Sequence, residues 1–159
     1  MSDHDRLEPH SRNLRKGRVS EPNRAYLIST ATEGREQLFS DWRCGRLVVQ
    51  TLRSEEARAK TLAFVVMPDH LHWLLQLGED ATLDAVVGDV KSVSAHRLNR
   101  HLGRRGKVWQ AGYHDHALRT DEDLVSVARY VVANPLRAGL VKRLGEYPLW
   151  DAIWLEPRE

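Results

Sequence analysis

The chain has 159 residues, 42% of them apolar and 29% charged, with a net charge of +2. That is one domain with a core of its own, which excludes a disordered chain, and no run nears the roughly 18 apolar residues of a membrane span. The N-terminus lacks the apolar stretch of a secretory signal, and a lone cysteine, Cys44, excludes an intrachain disulfide, so a reducing cytoplasm is the expected compartment.

Residues 1–22 read as a flexible polar arm, and the folded domain is expected over 23–159. Ala25–Thr30 is a short β-like run, and Thr32–Arg35 a loop. Gln37–Arg53 has a helical pattern through Leu38, Phe39, Trp42, Leu47, Val48 and Leu52, weakened by Gly45. Thr61–Met67 has the β-branched, apolar character of a buried strand. Pro68–Asp69 breaks it, and His70–Leu77 follows as its antiparallel partner. Thr82–Arg100 is helical, with Leu83, Val86, Val87, Val90, Val93 and Leu98, and Gly103–Gly106 is a basic loop.

Lys107–Leu118 reads as a strand rich in aromatics and histidine. Thr120–Asp123 resembles a capping box, from which a helix should run from Asp121 to about Ala133 with Leu124, Val127, Ala128 and Val131 as its apolar stripe. Asn134–Pro135 ends or kinks it. Leu136–Leu144 is a further helical candidate, and Tyr147–Leu155 should pack Trp150 and Trp154 on the body. The order strand, helix, strand, strand, helix, strand, helix predicts an α+β fold with helices over an antiparallel sheet.

Charge is unevenly spread. Lys91, Arg97, Arg100, Arg104, Arg105, Lys107 and Arg119 share a window with one acid, Asp115. That segment carries +6, leaving −4 elsewhere. A basic segment of this kind fits a polyanion and fits a solvated helix face about equally well.

His70 and His72 are i and i+2 in a predicted strand, so their imidazoles share one face, with Leu71, Trp73, Leu75 and Leu77 on the other. Adjacent imidazoles can hold a divalent metal if a further ligand is supplied, although such a pair is more often structural. His114 and His116 form a second i, i+2 pair with Asp115 opposite, and spacing does not rank it lower. Tyr130 and Asn134 stand four apart at the rim of the last helix's stripe. There the phenol could reach a cleft and the amide a metal; packing and helix-ending roles suit them as well. Cys44, in WRCGR, reads as a buried inert thiol more readily than a reactive one.

Three segments in order, VVMPDHLHWLL, WQAGYHDHALR and YVVANPLRAGLV, resemble the REP-associated tyrosine transposases. These are relatives of the IS200/IS605-type single-strand transposases, the one-tyrosine branch of the HUH nucleases. The resemblance runs from about Ala25 to Trp150. It implies a ferredoxin-like antiparallel sheet with helices packed on it. It implies that His70 and His72 bind Mg²⁺ or Mn²⁺, with Asn134 completing the site, and that Tyr130 is the nucleophile. The implied activity is cleavage and joining of single-stranded hairpin DNA through a 5′-phosphotyrosine, by a monomer or a homodimer. The basic segment would hold DNA phosphates, and Trp109 and Tyr113 would stack bases or pack in the core. Asp69 departs from the asparagine that many relatives carry there. Two other readings stand beside this one: a domesticated hairpin-binding protein without catalysis, and a small metallo-hydrolase using the histidine pairs.

Overall fold

The computed structural model describes residues 20–119 and 122–154. Most of the predicted N-terminal arm lies outside these residues, as do Thr120, Asp121 and Leu155. The elements are β1 (Ala25–Ala31), α1 (Trp42–Ser54), β2 (Ala59–Met67), β3 (His70–Leu77), α2 (Leu83–Leu102), β4 (His114–Ala117), α3 (Leu124–Val132), the short α4 (Asn134–Arg137) and β5 (Trp150–Ala152). One five-stranded sheet runs β4-β1-β3-β2-β5, every pair antiparallel. The expected α+β class is therefore found. The first four strands and two helices follow the ferredoxin-like βαββαβ order.

Alternation along each strand divides the molecule into layers. Tyr26, Ile28, Phe64, Val66, Leu71, Trp73, Leu75 and Leu77 turn to one face. There they form the main core with Val48 and Leu52 of α1 and Leu83, Val86, Val87, Val90 and Leu98 of α2. On the opposite face α3 packs on β2, β3 and β5, through Ala128 and Val132 against Ala63 and Leu74, and through Val131 against Val65 and Met67. Coverage of this second face is partial. The β1 residues facing it, Ala25, Leu27, Ser29 and Ala31, are only half-buried, whereas Tyr26, Ile28 and Thr30 behind them are buried.

Several boundaries differ from expectation for identifiable reasons. The predicted Gln37–Arg53 helix divides into a 3-10 turn, Leu38–Ser40, and α1, because Asp41 caps α1 by accepting a hydrogen bond from the Arg43 amide at 3.0 Å. Gly45 does not interrupt α1. A Cβ there would collide with the Leu149 side chain, so glycine permits a close approach. Only His114–Ala117 of the Lys107–Leu118 run is a strand, because Val108, Trp109 and Tyr113 pack in the main core. The last helix is capped by Asp123, whose carboxylate accepts from the Val125 amide at 3.0 Å, and begins at Leu124. Of Leu136–Leu144 only the α4 portion is α-helical, and Leu144 opens a 3-10 turn, Leu144–Glu146. Trp150 packs at the edge as predicted, while Trp154 is 37% exposed. No helix among the described residues is long and apolar enough to cross a membrane.

Candidate active site

β3 turns His70 and His72 onto the partly covered face. Their ring centroids lie 4.8 Å apart, edge to face. Asp69, in the turn between β2 and β3, fixes the first ring: its carboxylate lies 2.6 Å from His70 Nδ1. The other oxygen of Asp69 pairs with Arg35 Nε at 3.2 Å. A carboxylate on Nδ1 makes that nitrogen the donor and leaves Nε2 with a lone pair facing outward, the arrangement that orients metal-binding histidines. Arg35 is held in a left-handed backbone (φ 56°) unusual for a residue with a side chain. The turn is also tied to the end of β1, where the buried Thr32 donates to the Asp69 carbonyl through its amide (2.9 Å) and hydroxyl (3.2 Å).

His72 is deeper. Burial, then the neighbouring His70 and the charges of Arg137 and Arg35, pull its pKa from 6.5 to about 3. It is therefore a neutral imidazole over the physiological range, as a metal ligand must be.

Tyr130 is 63% exposed on α3. The Arg137 guanidinium of α4 stacks over its ring, Cζ 3.9 Å from the centroid. Arg137 is also close enough to His72 to oppose its protonation. One cation thus joins the phenol-bearing helix to the histidine strand. Val131, next to Tyr130, packs on Val65 and Met67, which pair across the ladder with His72 and His70. Asn134 spends its amide nitrogen on the Val131 carbonyl at 2.7 Å. That leaves the amide oxygen, the atom a hard cation prefers.

The second histidine pair shares this face. Directly paired strand residues project together. The register therefore puts His114, Ser29, His72, Val65 and Trp150 in one row across the sheet. His116 lies one row further along, beside Leu27, with its Nε2 3.1 Å from a Glu122 carboxylate oxygen. Asp115 faces the main core side, as the alternation predicted.

The basic segment is dispersed. Lys91 and Arg97 sit on α2, across the sheet from the histidines. Lys91 Nζ donates to the carbonyls of Gln110 (2.7 Å) and Gly112 (2.5 Å), and Arg97 to the Thr51 hydroxyl (3.1 Å). Arg104 makes a two-point pair with Glu36 at 2.8 and 2.7 Å, and Lys107 lies 3.8 Å from Glu33. Arg100, Arg105 and Arg119 are exposed. Base stacking by Trp109 and Tyr113 is overturned. Both are 4% exposed, and they donate to Ser94 (2.9 Å) and Asp84 (2.6 Å) respectively. Cys44 is buried, as its inert reading required. Arg137 and Arg35 escaped the sequence reading. Arg137 lies beyond the break between α3 and α4, so no regular helical spacing from Tyr130 pointed to it.

A family model described as "Transposase IS200 like" matches residues 23–134. The chain is 29% identical over 99 residues to a Haemophilus influenzae protein provisionally named a REP-associated tyrosine transposase, the match covering 56% of each chain. It is 28% identical over 88 residues to the Escherichia coli REP-associated tyrosine transposase, covering 54% of this chain and 50% of that one. The match thus spans about half the length of these curated relatives. The fold resembles a solved REP-associated tyrosine transposase bound to a REP hairpin, with a TM-score of 0.66 at 22% identity over 84% of this chain and 79% of that one. It also resembles a Deinococcus radiodurans crystal structure provisionally named a transposase, with a TM-score of 0.52 at 20% identity over 71% and 92%.

Proposed function

The chain belongs to the IS200-like transposase family, and from that premise we propose that it cleaves and rejoins single-stranded hairpin DNA through Tyr130. The observation that carries the reading is the Arg137 guanidinium, 3.9 Å above the Tyr130 ring and electrostatically felt by His72. It supports the reading because one cation touches the candidate nucleophile and acts on a candidate metal ligand.

A tyrosine phenol is a weak nucleophile unless its surroundings activate it. The Arg137 guanidinium stacked on the Tyr130 ring holds the phenol in position. Tyr130 Oη would attack the scissile phosphorus as its proton passes to solvent. A P–Oη bond forms, the bond from phosphorus to the 3′ oxygen breaks, and a free 3′-OH leaves. The DNA 5′ end stays on Tyr130 as a phosphodiester. A second 3′-OH can reverse the step and join strands.

His70 Nε2, His72 and the Asn134 amide oxygen would hold the ion, Mg²⁺ or Mn²⁺. When bound, it supplies Lewis-acid charge to a phosphate oxygen. Asp69 keeps His70 in the required tautomer, and the depressed basicity of His72 keeps that site from protonating. Arg100, Arg104, Arg105, Lys107 and Arg119 would contact backbone phosphates. Lys91 and Arg97, engaged in internal hydrogen bonds, contribute by holding α2 in place.

The test is incubation with hairpin single-stranded DNA and Mg²⁺ or Mn²⁺, followed by a denaturing gel. A covalent protein–DNA adduct is expected, lost in Tyr130→Phe and in the His70→Ala/His72→Ala double variant. Cleavage by Tyr130→Phe at the parent rate would refute the nucleophile. Tight hairpin binding with no cleavage under either metal would favour the non-catalytic binding protein instead.

A further inference from the structure

On the face of the sheet away from His70 and His72, a second set of ligating atoms converges. Asp41 caps the N-terminus of α1, Cys44 lies in its first turn, and His101 lies in the last turn of α2. One carboxylate oxygen, the thiol sulfur and one imidazole nitrogen all fall within 4.8 Å of one another. We propose that Asp41, Cys44 and His101 form a zinc site that fastens the start of α1 to the end of α2.

The donor chemistry selects the ion. A thiolate, an imidazole and a carboxylate form a mixed soft and borderline set that suits Zn²⁺, whereas Mg²⁺ and Mn²⁺ prefer oxygen ligands. Tetrahedral zinc needs ligand atoms roughly 3.3–3.8 Å apart. The present spread, at most 4.8 Å, closes to that by about 1.0–1.5 Å of side-chain movement. Asp41 and His101 are exposed and can make the adjustment. Asp41 already uses one oxygen, Oδ1, to cap the Arg43 amide, so the other can ligate without loss of the cap.

Cys44 is the reason to look here. Its side chain is 1% exposed, and among the described residues the thiol has no hydrogen-bond partner. It belongs to the main core, and the exposed Asp41 and His101 bring ligand atoms within 4.8 Å of its sulfur. A structural thiol needs no such neighbours. Burial and the Asp41 carboxylate raise the thiol pKa, and Arg104 opposes them. The thiol is therefore protonated in the absence of metal, and binding Zn²⁺ would release that proton. The charges of a thiolate and a carboxylate then balance the ion. Arg104, which acts on the thiol, is itself paired with Glu36. Three protein ligands leave a fourth position on the solvent side for water. The site is chemically and spatially separate from the His70/His72 pair, so it stands whether or not the proposed DNA chemistry does.

The full-length protein can be titrated with Co²⁺ as a spectroscopic stand-in for zinc, then challenged with Zn²⁺. The expected result is a thiolate-to-cobalt charge-transfer band that is displaced by zinc and that saturates at one ion per chain in His70→Ala/His72→Ala. Cys44→Ser should abolish the band. His101→Ala, an exposed substitution that leaves the core intact, should weaken binding by at least about tenfold, since even indirect partners of a ligand are worth that much. The band should survive in His70→Ala/His72→Ala. No band in the parent protein, a band retained in Cys44→Ser, unaltered affinity in His101→Ala, or loss in the His70/His72 variant would each overturn the assignment.

Discussion

Replacing Arg137 by alanine separates two roles proposed for one side chain. The guanidinium lies 3.9 Å above a ring that is 63% exposed. A cation over an exposed aromatic is worth about 0.5–1 kcal/mol. If Arg137 only holds the ring, its loss should slow adduct formation about two- to fivefold, at 1.36 kcal/mol per factor of ten. If it also contacts the scissile phosphate, a charge-assisted hydrogen bond worth about 1.5–3 kcal/mol is lost as well. The combined effect is then roughly 30-fold to several hundredfold. Single-turnover formation of the Tyr130–DNA adduct measures the difference. Arg137→Lys retains a point charge without the planar stack and should recover part of the larger effect. A second readout comes from His72, whose protonation Arg137 opposes. Its imidazole should titrate at higher pH in Arg137→Ala, as followed by NMR. Parent-rate adduct formation together with an unmoved His72 titration would refute the reasoning.

The other predictions rest on separate contacts. Asp69→Ala removes the carboxylate 2.6 Å from His70 Nδ1 and should weaken Mn²⁺ binding about 10–100-fold, measured by calorimetry. His72, at about 3 in the folded protein against 6.5 in the unfolded chain, is neutral when folded and binds a proton when unfolded between those values. Stability of the metal-free protein is then fully present above pH 6.5 and falls as pH drops toward 3. The loss is on the order of 2 kcal/mol by pH 5 in urea melts, and His72→Gln should flatten that slope. Gly45→Ala gains about 1 kcal/mol of helix propensity but forces Cβ into Leu149 at a cost of about 1–3. It should lower stability in the parent and raise it in Leu149→Ala. With Lys91 and Arg97 held internally, at most five of the seven cations reach phosphates. Lys91→Ala and Arg97→Ala should therefore leave the salt slope for single-stranded DNA unchanged, and a slope shallower by about 0.7 in either variant would show that the side chain leaves its partners to bind phosphate.

The fold was legible where a single physical period governs the sequence. His70–Leu77 could be read residue by residue because one face is buried and strict alternation follows. Thr82 and Gly103 bracket α2 as cap and left-handed stop, so that helix was also readable. Legibility failed where a distant partner decides. Nothing local announces that Leu149 will occupy the space above Gly45. Lys107–Leu118 looks strand-like because Trp109 and Tyr113 are apolar, but their burial comes from contacts with α2, through Ser94 and Asp84, and not from a ladder.

The same distinction explains what happened to the charge. A sum over Lys91–Arg119 treats each cation as equally available, but availability is a tertiary property. Lys91 is half-buried because two carbonyls of the chain leading into β4 need a donor, and its ammonium meets both. Arg97 binds the helix beside it. These two would hold the same positions in a protein that never met DNA. Arg137, by contrast, adds one charge outside the window, and no composition argument would single it out. Its significance comes entirely from standing over Tyr130 and near His72. For a site of this type, the position of one guanidinium relative to a phenol therefore carries more functional information than the +6 of a whole segment.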